Sequence, residues 1–247
     1  MTEITNNKLA EQLNNIQISL NQIKNKLSMN NGLVQIRNSL FWLPNYPRDI
    51  IQQRIVDCCD YWDSYALGII DTYLTDNYVI LDIGANIGNH TLYWAKERHA
   101  KKIYSFEPVP STFAILKTNI DINNLHKTVE IYNIGLSNTE TKAEISSFSA
   151  DNIGGTHVSK SNNGALVLKP LDSLKIKEKI DLIKIDVEGA EIDVLKGGIK
   201  TIQNNLPIIS IESFDKKDEI DEILFPMGYH LEKTIYEGSD YIYTVNK

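Results

Sequence analysis

Five apolar runs separated by helical segments constrain the fold more than any other feature of the chain. They lie between residues 78 and 212 and read YVILDIG, KIYSFEP, VEIYNIG, IDLIKID and PIISIE. Strands that alternate with helices pair into a parallel sheet with helices on its faces. Continuous apolar stretches such as DLIKI and PIISI are typical of strands buried on both faces. The sequence therefore predicts a doubly wound, Rossmann-like α/β sheet.

The chain departs from this alternation at two places. Between the third and fourth runs, residues 137–179 hold two short strand candidates, KAEISSF and ALVLKP, around a glycine-containing loop, DNIGGTH. The composition of that loop is typical of a flexible lid over a ligand. After the last run, GYHLEKTIYEG and SDYIYTV predict a hairpin that closes one sheet edge with an antiparallel pair. The lid residues of interest are Asp151, Asn152, Gly154 and Gly155.

The N-terminal segment, residues 1–31, carries a heptad pattern of leucine and isoleucine. Leucine at position a and isoleucine at position d favour more than two strands, so the pattern predicts a coiled coil that assembles the chain into a homo-trimer or homo-tetramer. Three heptads make a short coil, and a single amphipathic helix folded against its own domain is the other interpretation. The a positions are Leu13, Leu20 and Leu27, and the d positions are Leu9, Ile16 and Ile23.

Residues 32–76 are predicted to form helices that cap the main domain, which is assigned to residues 77–247. The helical pattern is interrupted by Pro44 and Pro47. Some of these rings could cover a cofactor or substrate, but aromatic residues at helical spacing are more often core, so core is the preferred interpretation of this aromatic cluster. It comprises Phe41, Trp42, Tyr46, Tyr61, Trp62 and Tyr65.

Composition excludes several classes of partner. A formal charge of -7 argues against general nucleic-acid binding, which requires a basic excess, and small molecules or glycans fit better. The apolar runs are of strand length and predict no membrane span, and the polar start MTEITNN lacks a signal-peptide pattern, so the expected location is the cytoplasm. The adjacent Cys58 and Cys59 complete no zinc site and are expected to be buried thiols, and no metal ligands are assigned.

The first apolar run ends in a glycine-rich turn, Gly84-x-Asn86-x-Gly88. Glycine lets the backbone approach a ligand closely, and the next helix offers free N–H groups to it. The second run ends at Glu107, about 20 residues further on, where an acid commonly receives two ribose hydroxyls. Because the spacing is GxNxG, Asn86 contradicts a nicotinamide-dependent oxidoreductase with its GxGxxG turn. The turn and the acid together predict an adenosyl ligand.

The fourth run leads into a block of charged residues. Asp186 and Glu188 are two residues apart and would point the same way if the strand continues, and such carboxylates act as general bases or bind a cation. Glu188 and Glu191 also lie where acids face the positive end of the following helix, which is the preferred interpretation for Glu191. Glu212 closes the last run at the same sheet edge and is a second candidate for substrate contact.

The motifs VILDIGANIGNHT, SFEP, LDSL, IDLIKIDVEGAEIDVLKG and PIISIE, in this order, resemble the FkbM family of S-adenosylmethionine-dependent methyltransferases. The resemblance covers about residues 65–212, and the KIDVEGAE block is its more specific part. It implies the class I methyltransferase fold, a seven-stranded sheet whose last strand is antiparallel. Members commonly O-methylate sugars in surface polysaccharides or in glycosylated and polyketide metabolites.

The resemblance also implies where S-adenosylmethionine binds. The glycine turn would surround the methionine and ribose parts, Glu107 would take the ribose hydroxyls, and residues 133–136 would lie by the adenine. The residues assigned to the cofactor are Asp82, Gly84, Ala85, Asn86, Gly88, Asn89, Glu107, Pro108, Asn133 and Gly135.

The implied reaction is an in-line displacement, in which a substrate oxygen attacks the sulfonium methyl group. A sugar hydroxyl needs help to lose its proton, and Asp186 and Glu188 are the preferred bases, with Lys184 orienting them. Glu212 is the reserve candidate and His157 the third. A Mg²⁺ ion held by carboxylates is a further possibility that the sequence leaves open.

Two other functions stay open. One is a catalytically inactive, methyltransferase-like scaffold assembled by its N-terminal coil, and the other is an N-methyltransferase that acts on a small molecule or peptide. The intact glycine turn, together with Glu107, Asp186 and Glu188, argues against an inactive scaffold.

Overall fold

The computed structural model describes residues 16, 19, 20, 23 and 31–246. Three of the heptad positions, Ile16, Leu20 and Ile23, are helical, and more than half of each residue is exposed. The rest of the heptad pattern lies outside the described residues, so the coiled coil stays a prediction.

The elements are numbered in chain order. The strands are β1 (Leu33–Ile36), β2 (Ser39–Trp42), β3 (Val79–Ile83), β4 (Lys102–Phe106), β5 (Val129–Tyr132), β6 (Gly135–Leu136), β7 (Thr141–Ser149), β8 (Asn152–Lys160), β9 (Leu166–Lys169), β10 (Leu182–Ile185), β11 (Ile208–Glu212), β12 (Tyr229–Ile235) and β13 (Asp240–Val245). The α-helices are α1 (Ile50–Cys58), α2 (Ser64–Asp71), α3 (Asn89–Lys96), α4 (Pro110–Ile122), α5 (Glu191–Gly197), α6 (Ile199–Asn205) and α7 (Lys217–Leu224).

A seven-stranded sheet in the order β12-β13-β11-β10-β3-β4-β5 forms the centre of the protein. The five strands from β11 to β5 are parallel to their neighbours, whereas β13 is antiparallel to both β11 and β12. The prediction of a mixed α/β sheet whose last strand is antiparallel is therefore confirmed, and so is the C-terminal hairpin at one sheet edge.

The central strands are buried on both faces, which explains their largely apolar character. Along β3, Ile80 packs into one core with helices α3 and α4, while Leu81 and Ile83 pack into the other with α5, α6 and α7. Neighbouring side chains of a strand point to opposite faces, so a strand between two helical layers favours apolar residues on both faces.

The segment before the sheet contains a β-hairpin that the helical prediction missed. Strands β1 and β2 pair antiparallel around a two-residue turn that begins at Arg37, whose φ is 46°. Val34, Ile36 and Phe41 are buried, while the residues between them along each strand are exposed. This alternation with period two is the strand signal, and it outweighs the helical spacing of the flanking residues. Helices α1 and α2 follow the hairpin.

Neither cysteine of the adjacent pair belongs to the core. Cys58 is exposed and Cys59 is partly buried, and neither is in a disulfide. The two residues end helix α1, where Cys59 takes a left-handed conformation with a φ of 53°. The prediction of buried thiols is therefore wrong for Cys58.

The insertion between β5 and β10 forms a second sheet of four strands in the order β6-β9-β7-β8. The DNIGGTH segment, predicted to be a loop, is largely strand β8, which pairs antiparallel with β7. Two glycines weaken strand propensity, but pairing with β7 and the burial of Ile153 outweigh it. The backbone N–H of Ile153 donates to Asp49 (2.9 Å), which also caps α1, so β8 is tied to that helix.

Within the part of the chain that the structure describes, no helix is both long enough and apolar enough to cross a membrane.

Candidate functional site

A cavity of about 750 Å³ lies beyond the carboxyl ends of β3, β4, β10 and β11. Strand order reverses between β3 and β10, and such a switch point is where open α/β sheets bind ligands. Its volume falls in the range of roughly 300–1,000 Å³ that is usual for small-molecule sites. The strand ends supply the floor, and strand β8, helix α1 and the segment before α2 supply the cover. Floor residues include Gly84, Asn86, Glu107, Pro108, Asp186, Glu188 and Glu212, and cover residues include Ile51, Trp62, Ile153, Gly154 and His157.

The glycine turn is fixed by hydrogen bonds to the neighbouring strand. The N–H groups of Gly84 and Ala85 both donate to the carbonyl oxygen of Phe106, at 3.0 and 2.9 Å. Asn86 follows with a φ of 49°, and its N–H donates to the carboxylate of Glu107 (3.0 Å). The turn therefore presents Gly84 and Asn86 to the cavity in one defined conformation.

Glu107 is a buried carboxylate at the end of β4. Its two oxygens accept from the N–H groups of Asn86 (3.0 Å) and Val109 (2.8 Å). Burial raises the pKa of Glu107 to about 7, although these two hydrogen bonds and Lys184 act in the opposite direction. Because each carboxylate oxygen has two acceptor positions, Glu107 can still receive two hydroxyl groups from the cavity.

Lys184 lies behind the cavity floor and joins the two strands at the switch point. Its ammonium group is 3.2 Å from Asp186 and 3.5 Å from Asp82, and it donates to the carbonyl oxygen of Gly84 (3.0 Å). Burial by itself lowers the pKa of Lys184, but Asp186 and Asp82 outweigh burial and raise the pKa above its ordinary value. Asp82 also accepts from the hydroxyl of Thr91 (2.5 Å). Lys184 therefore supports Asp186 without lining the cavity.

Glu188 lies in a turn, contrary to the expectation that the strand continues. Strand β10 ends before Asp186, and both Glu188 and Gly189 take positive φ values of 50° and 99°. Asp186 and Glu188 both line the cavity, but not through strand alternation. Burial and the nearby Asp186 raise the pKa of Glu188. Glu191 accepts from the N–H of Gly189 (2.6 Å) and closes this turn, which agrees with its structural interpretation.

Glu212 ends β11 and lines the same cavity. Burial raises its pKa to about 8, and the charges of Asp186 and Asp240 act in the same direction. A carboxyl group with such a pKa exchanges its proton near neutral pH, which is the property that a general base or acid requires. The site thus combines Glu212 with Asp186, which Lys184 holds in place.

Asn89 does not line the cavity but holds a residue that does. Its side-chain oxygen accepts from the N–H of Trp62, and its side-chain nitrogen donates to the carbonyl oxygen of Trp62, both at 2.9 Å. Trp62 lines the cavity, as the alternative interpretation of the aromatic cluster expected, and does not follow the preferred core interpretation. Phe214, two residues after the end of β11, also lines the cavity and was missed. Its position just past a strand end is the signal that could have identified it.

The cover packs closely on the glycine turn. A Cβ atom on Gly154 would lie 2.6 Å from Ile51 and 2.8 Å from the side chain of Asn86. The cover approaches the turn this closely only because residue 154 is glycine. His157 lies further along the same strand and lines the cavity. The segment predicted as a flexible lid is therefore a packed strand over the site.

Half of the residues predicted to bind the cofactor line the cavity. Those on its wall are Gly84, Asn86, Glu107, Pro108 and Gly135, and those behind it are Asp82, Ala85, Gly88, Asn89 and Asn133. The residues behind the wall support those on it. The side-chain nitrogen of Asn133, for example, donates to the carbonyl oxygens of Glu107 (2.9 Å) and Pro108 (3.1 Å).

Of the predicted catalytic residues, Asp186, Glu188, Glu212 and His157 line the cavity and Lys184 does not. No group of three or more metal-binding side chains is assembled among the described residues.

Part of the chain is similar in sequence to known proteins. A family model for the "Methyltransferase FkbM domain" matches residues 82–231. Hexuronic acid methyltransferase AglP of Haloferax volcanii is 33% identical over 149 residues, which cover 57% of this chain and 59% of AglP. Methyltransferase sdnD of Sordaria araneosa is 28% identical over 159 residues, which cover 50% and 61% of the two chains. The chain thus spans about three fifths of the length of these curated relatives.

Solved structures share the fold. The crystal structure of Methyltransferase FkbM from Methylobacillus flagellatus KT aligns with a TM-score of 0.52 at 18% identity, over 78% of this chain and 52% of that one. Sp1610 of Streptococcus pneumoniae, a putative tRNA (m1A22) methyltransferase solved in complex with S-adenosyl-L-methionine, aligns with a TM-score of 0.50 at 12% identity, over 74% and 72%.

Proposed function

Because the chain belongs to the FkbM methyltransferase family, we propose that it is an S-adenosylmethionine-dependent O-methyltransferase that acts on a hydroxyl group of a sugar. One observation carries the proposal. The buried carboxylate of Glu107 opens into the same cavity as Asp186, Glu188 and Glu212. A ribose-binding acid and a group of candidate bases therefore share one enclosed space at the switch point of the sheet.

The residues on the cavity wall fit S-adenosylmethionine. Glu107 has free acceptor positions for two ribose hydroxyls. The side-chain oxygen of Asn86 is buried and has no hydrogen-bond partner among the described residues, so it is available to a ligand donor. Asp186 and Glu188 give this wall a negative charge that suits a cationic ligand. When bound, S-adenosylmethionine supplies an electrophilic methyl group.

Asp186 and Glu212 are proposed to receive the acceptor hydroxyl and its proton. Lys184 fixes the orientation of Asp186, which favours a near-attack geometry for a hydroxyl bonded to it. Glu212 has a pKa of about 8, raised in part by Asp186, so it binds a proton readily near neutral pH. Asp186 and Glu212 are thus proposed to share the acceptor side of the cavity, and Glu188 stays the second candidate for the base.

The cover contributes by excluding water from the cavity. Strand β8 packs on the glycine turn through Gly154, and Ile51 and Ile153 bring apolar surface over the floor. A drier site strengthens the interaction between the carboxylates and the substrate hydroxyl. His157 lies on this cover and is the third candidate base.

A sugar acceptor is supported by two observations. Hydroxyl groups are good donors to carboxylates, and the cavity wall offers several carboxylates close to the proposed methyl donor. AglP, the relative that is 33% identical, is by its name a hexuronic acid methyltransferase. O-methylation of a sugar is therefore the preferred form of the proposed activity.

The test is transfer of a labelled methyl group. The purified full-length chain is incubated with methyl-labelled S-adenosylmethionine and a panel of nucleotide sugars and oligosaccharides, and the products are analysed by mass spectrometry. We expect one methyl group on a sugar oxygen with the wild type, and greatly reduced transfer with Asp186→Asn. Transfer to an amine nitrogen would favour N-methylation instead. Absence of transfer to every acceptor, with no S-adenosylhomocysteine formed, would contradict the proposal.

A further inference from the structure

Two exposed aromatic side chains line the cavity, and two more are linked to the segment that carries one of them. Trp62 and Phe214 line the cavity and are 39% and 77% exposed. Tyr236 is 47% exposed, and its ring centroid is 5.8 Å from that of Tyr65, which is 65% exposed. The hydroxyl of Tyr236 donates to Asp63, the residue next to Trp62, so the tyrosine pair is linked to the segment that carries Trp62. We call these four residues the aromatic rim.

The rim is held by hydrogen bonds that do not involve its ring faces. Asn89 binds both backbone groups of Trp62, at 2.9 Å each. Tyr236 is anchored through its hydroxyl to Asp63 (2.5 Å). The backbone N–H of Ser213, beside Phe214, donates to the carbonyl oxygen of Ser239 (2.7 Å). The aromatic rings are thereby positioned while a large part of their surface stays open to a ligand.

The backbone under Tyr236 is strained in a way that favours a role in binding. Tyr236 and Glu237 take positive φ values of 49° and 52°. Side-chain-bearing residues avoid this region, and two in succession persist only where the surroundings impose them. The hydroxyl bond to Asp63 and the ring contact with Tyr65 are the constraints visible here. Such strain is common where a side chain must be presented to a ligand.

The charge around the rim narrows the class of ligand. Among the described residues, the acidic groups of the cavity wall are Glu107, Asp186, Glu188, Asp193 and Glu212. The ammonium group of Lys160, on the same wall, is 2.6 Å from Asp193 and is therefore already paired. Beneath the rim lie two further carboxyl groups, those of Asp63 and Asp240. An anionic ligand would find no unpaired lysine or arginine among the described residues of this wall, and each carboxyl group that is ionised would repel it, whereas a neutral ligand needs no such partner.

We propose that the aromatic rim is an extended acceptor subsite that binds neutral sugar units adjoining the one that is methylated. This inference rests on the proposed sugar O-methyltransferase activity and deepens it. The apolar C–H faces of sugar rings stack on exposed aromatic rings, and their hydroxyl groups donate to the carboxylates between them. The acceptor is accordingly a neutral oligosaccharide or polysaccharide, longer than one sugar and free of uronate groups near the methylated unit.

The test is calorimetric titration of the full-length protein saturated with S-adenosylhomocysteine. The probes are malto- and cello-oligosaccharides of one to four units, with oligogalacturonates of equal length for comparison. Because a tenfold change in affinity corresponds to about 1.4 kcal/mol, one productive stacking contact should raise the affinity about tenfold between the monosaccharide and the trisaccharide of a neutral series. Oligogalacturonates should bind more weakly than neutral chains of the same length.

Variants separate the rim from the rest of the site. Phe214→Ala should abolish the gain with length and leave S-adenosylhomocysteine affinity unchanged, which also shows that the variant is folded. Trp62→Ala should abolish the same gain. Phe225→Ala is the matched control, because Phe225 is an exposed aromatic residue that does not line the cavity. Equal affinity for all lengths, no binding of either neutral series, or preferred binding of oligogalacturonates would overturn the inference. Failure of the proposed function would appear differently, as an absence of S-adenosylhomocysteine binding or as methyl transfer to an amine nitrogen and to no sugar in the transfer assay.

Discussion

A Cβ atom on Gly84 would lie 1.7 Å from the carbonyl oxygen of Asp186. The two residues follow adjacent parallel strands, β3 and β10, at the point where the strand order reverses. The glycine turn and the charged block, which are about a hundred residues apart in the chain, thus form one structural unit. Glycine is required at position 84 by the backbone of the neighbouring strand, in addition to any ligand that approaches it.

Replacement of Gly84 by alanine should destabilise the fold. The new Cβ would overlap the backbone of Asp186, and the φ of 79° is unfavourable for alanine. We expect Gly84→Ala to lower the free energy of unfolding by more than about 2 kcal/mol, as judged by chemical denaturation. Gly68→Ala is the control, because no atom lies within 4 Å of the added Cβ and the helix gains about 0.5–1 kcal/mol from alanine. Equal stability of the two variants would contradict the packing described here.

Removal of a carboxylate at the acceptor side should separate catalysis from cofactor binding. We expect Asp186→Asn and Glu212→Gln to keep their affinity for S-adenosylhomocysteine and to lose about 100-fold or more in kcat, because general base catalysis contributes about 10²–10⁴-fold. The assay is the initial rate of S-adenosylhomocysteine formation with the acceptor found in the methyl-transfer screen. A larger loss in Glu188→Gln than in both other variants would transfer the role of the base to Glu188. Glu219→Gln, on the outer helix α7, is the control.

Thermal stability should fall as the pH rises from mildly acidic to mildly basic values. The pKa values of Asp63, Glu107 and Glu212 are raised to about 6, 7 and 8, with burial as the main cause. The folded protein therefore favours the protonated forms, and this stabilisation is fully present below the unfolded pKa of about 4 and is lost as pH rises from there through the folded values of 6 to 8. Scanning calorimetry should show a decreasing Tm over this interval, and a smaller decrease in Glu212→Gln. A Tm that increases over the interval would contradict the predicted direction of the pH dependence.

The N-terminal heptads predict assembly of the chain. If leucine at a and isoleucine at d form a coiled coil, deletion of residues 1–30 should lower the mass in solution from that of a trimer or tetramer to that of a monomer. Sedimentation equilibrium measures this mass directly. Leu20→Asp in the full-length chain should have the same effect, since it places a charge at an a position of the coiled coil. An unchanged mass in both proteins would favour the single amphipathic helix.

Sequence patterns predicted the strands that are buried on both faces along their whole length. The central strands are buried at every position and largely apolar because helices cover both faces, so β3 and β10 were recognisable from composition alone. The hairpin at residues 33–42 was missed because a short alternating pattern beside helical spacing is ambiguous in isolation. The residues that the hairpin contacts are distant from it in the chain, as in the hydrogen bond from the N–H of Trp42 to the side-chain oxygen of Asn119 (2.6 Å).

The site residues that lie at strand ends were predictable from the sequence, whereas residues placed by tertiary packing were not. Glu107 and Glu212 end strands and line the cavity, as their positions indicated. The backbone of Glu188 takes a left-handed conformation, which the sequence did not indicate. Asn89 acts by bonding Trp62, which is 27 residues earlier and belongs to another segment. Neither relationship leaves a local pattern, because each arises from tertiary packing.

Glu107 offers the most direct test of the central claim. Its carboxylate accepts ribose hydroxyls more strongly when it is ionised, and its pKa is about 7. Affinity for S-adenosylhomocysteine should therefore increase about tenfold between pH ~6 and pH ~8, as the ionised fraction rises. In Glu107→Gln the charged acceptor is lost, so affinity should fall about 10- to 100-fold and lose its pH dependence. Glu140→Gln, an exposed carboxylate on the second sheet, is the control.

The measurement to make is calorimetric titration of the full-length wild type and these two variants with S-adenosylhomocysteine at both pH values, with NAD as the comparison ligand. We predict one-to-one binding of S-adenosylhomocysteine by the wild type and by Glu140→Gln, weaker binding by Glu107→Gln, and no heat with NAD. No binding by the wild type, or an affinity of Glu107→Gln equal to that of the wild type, would contradict the account.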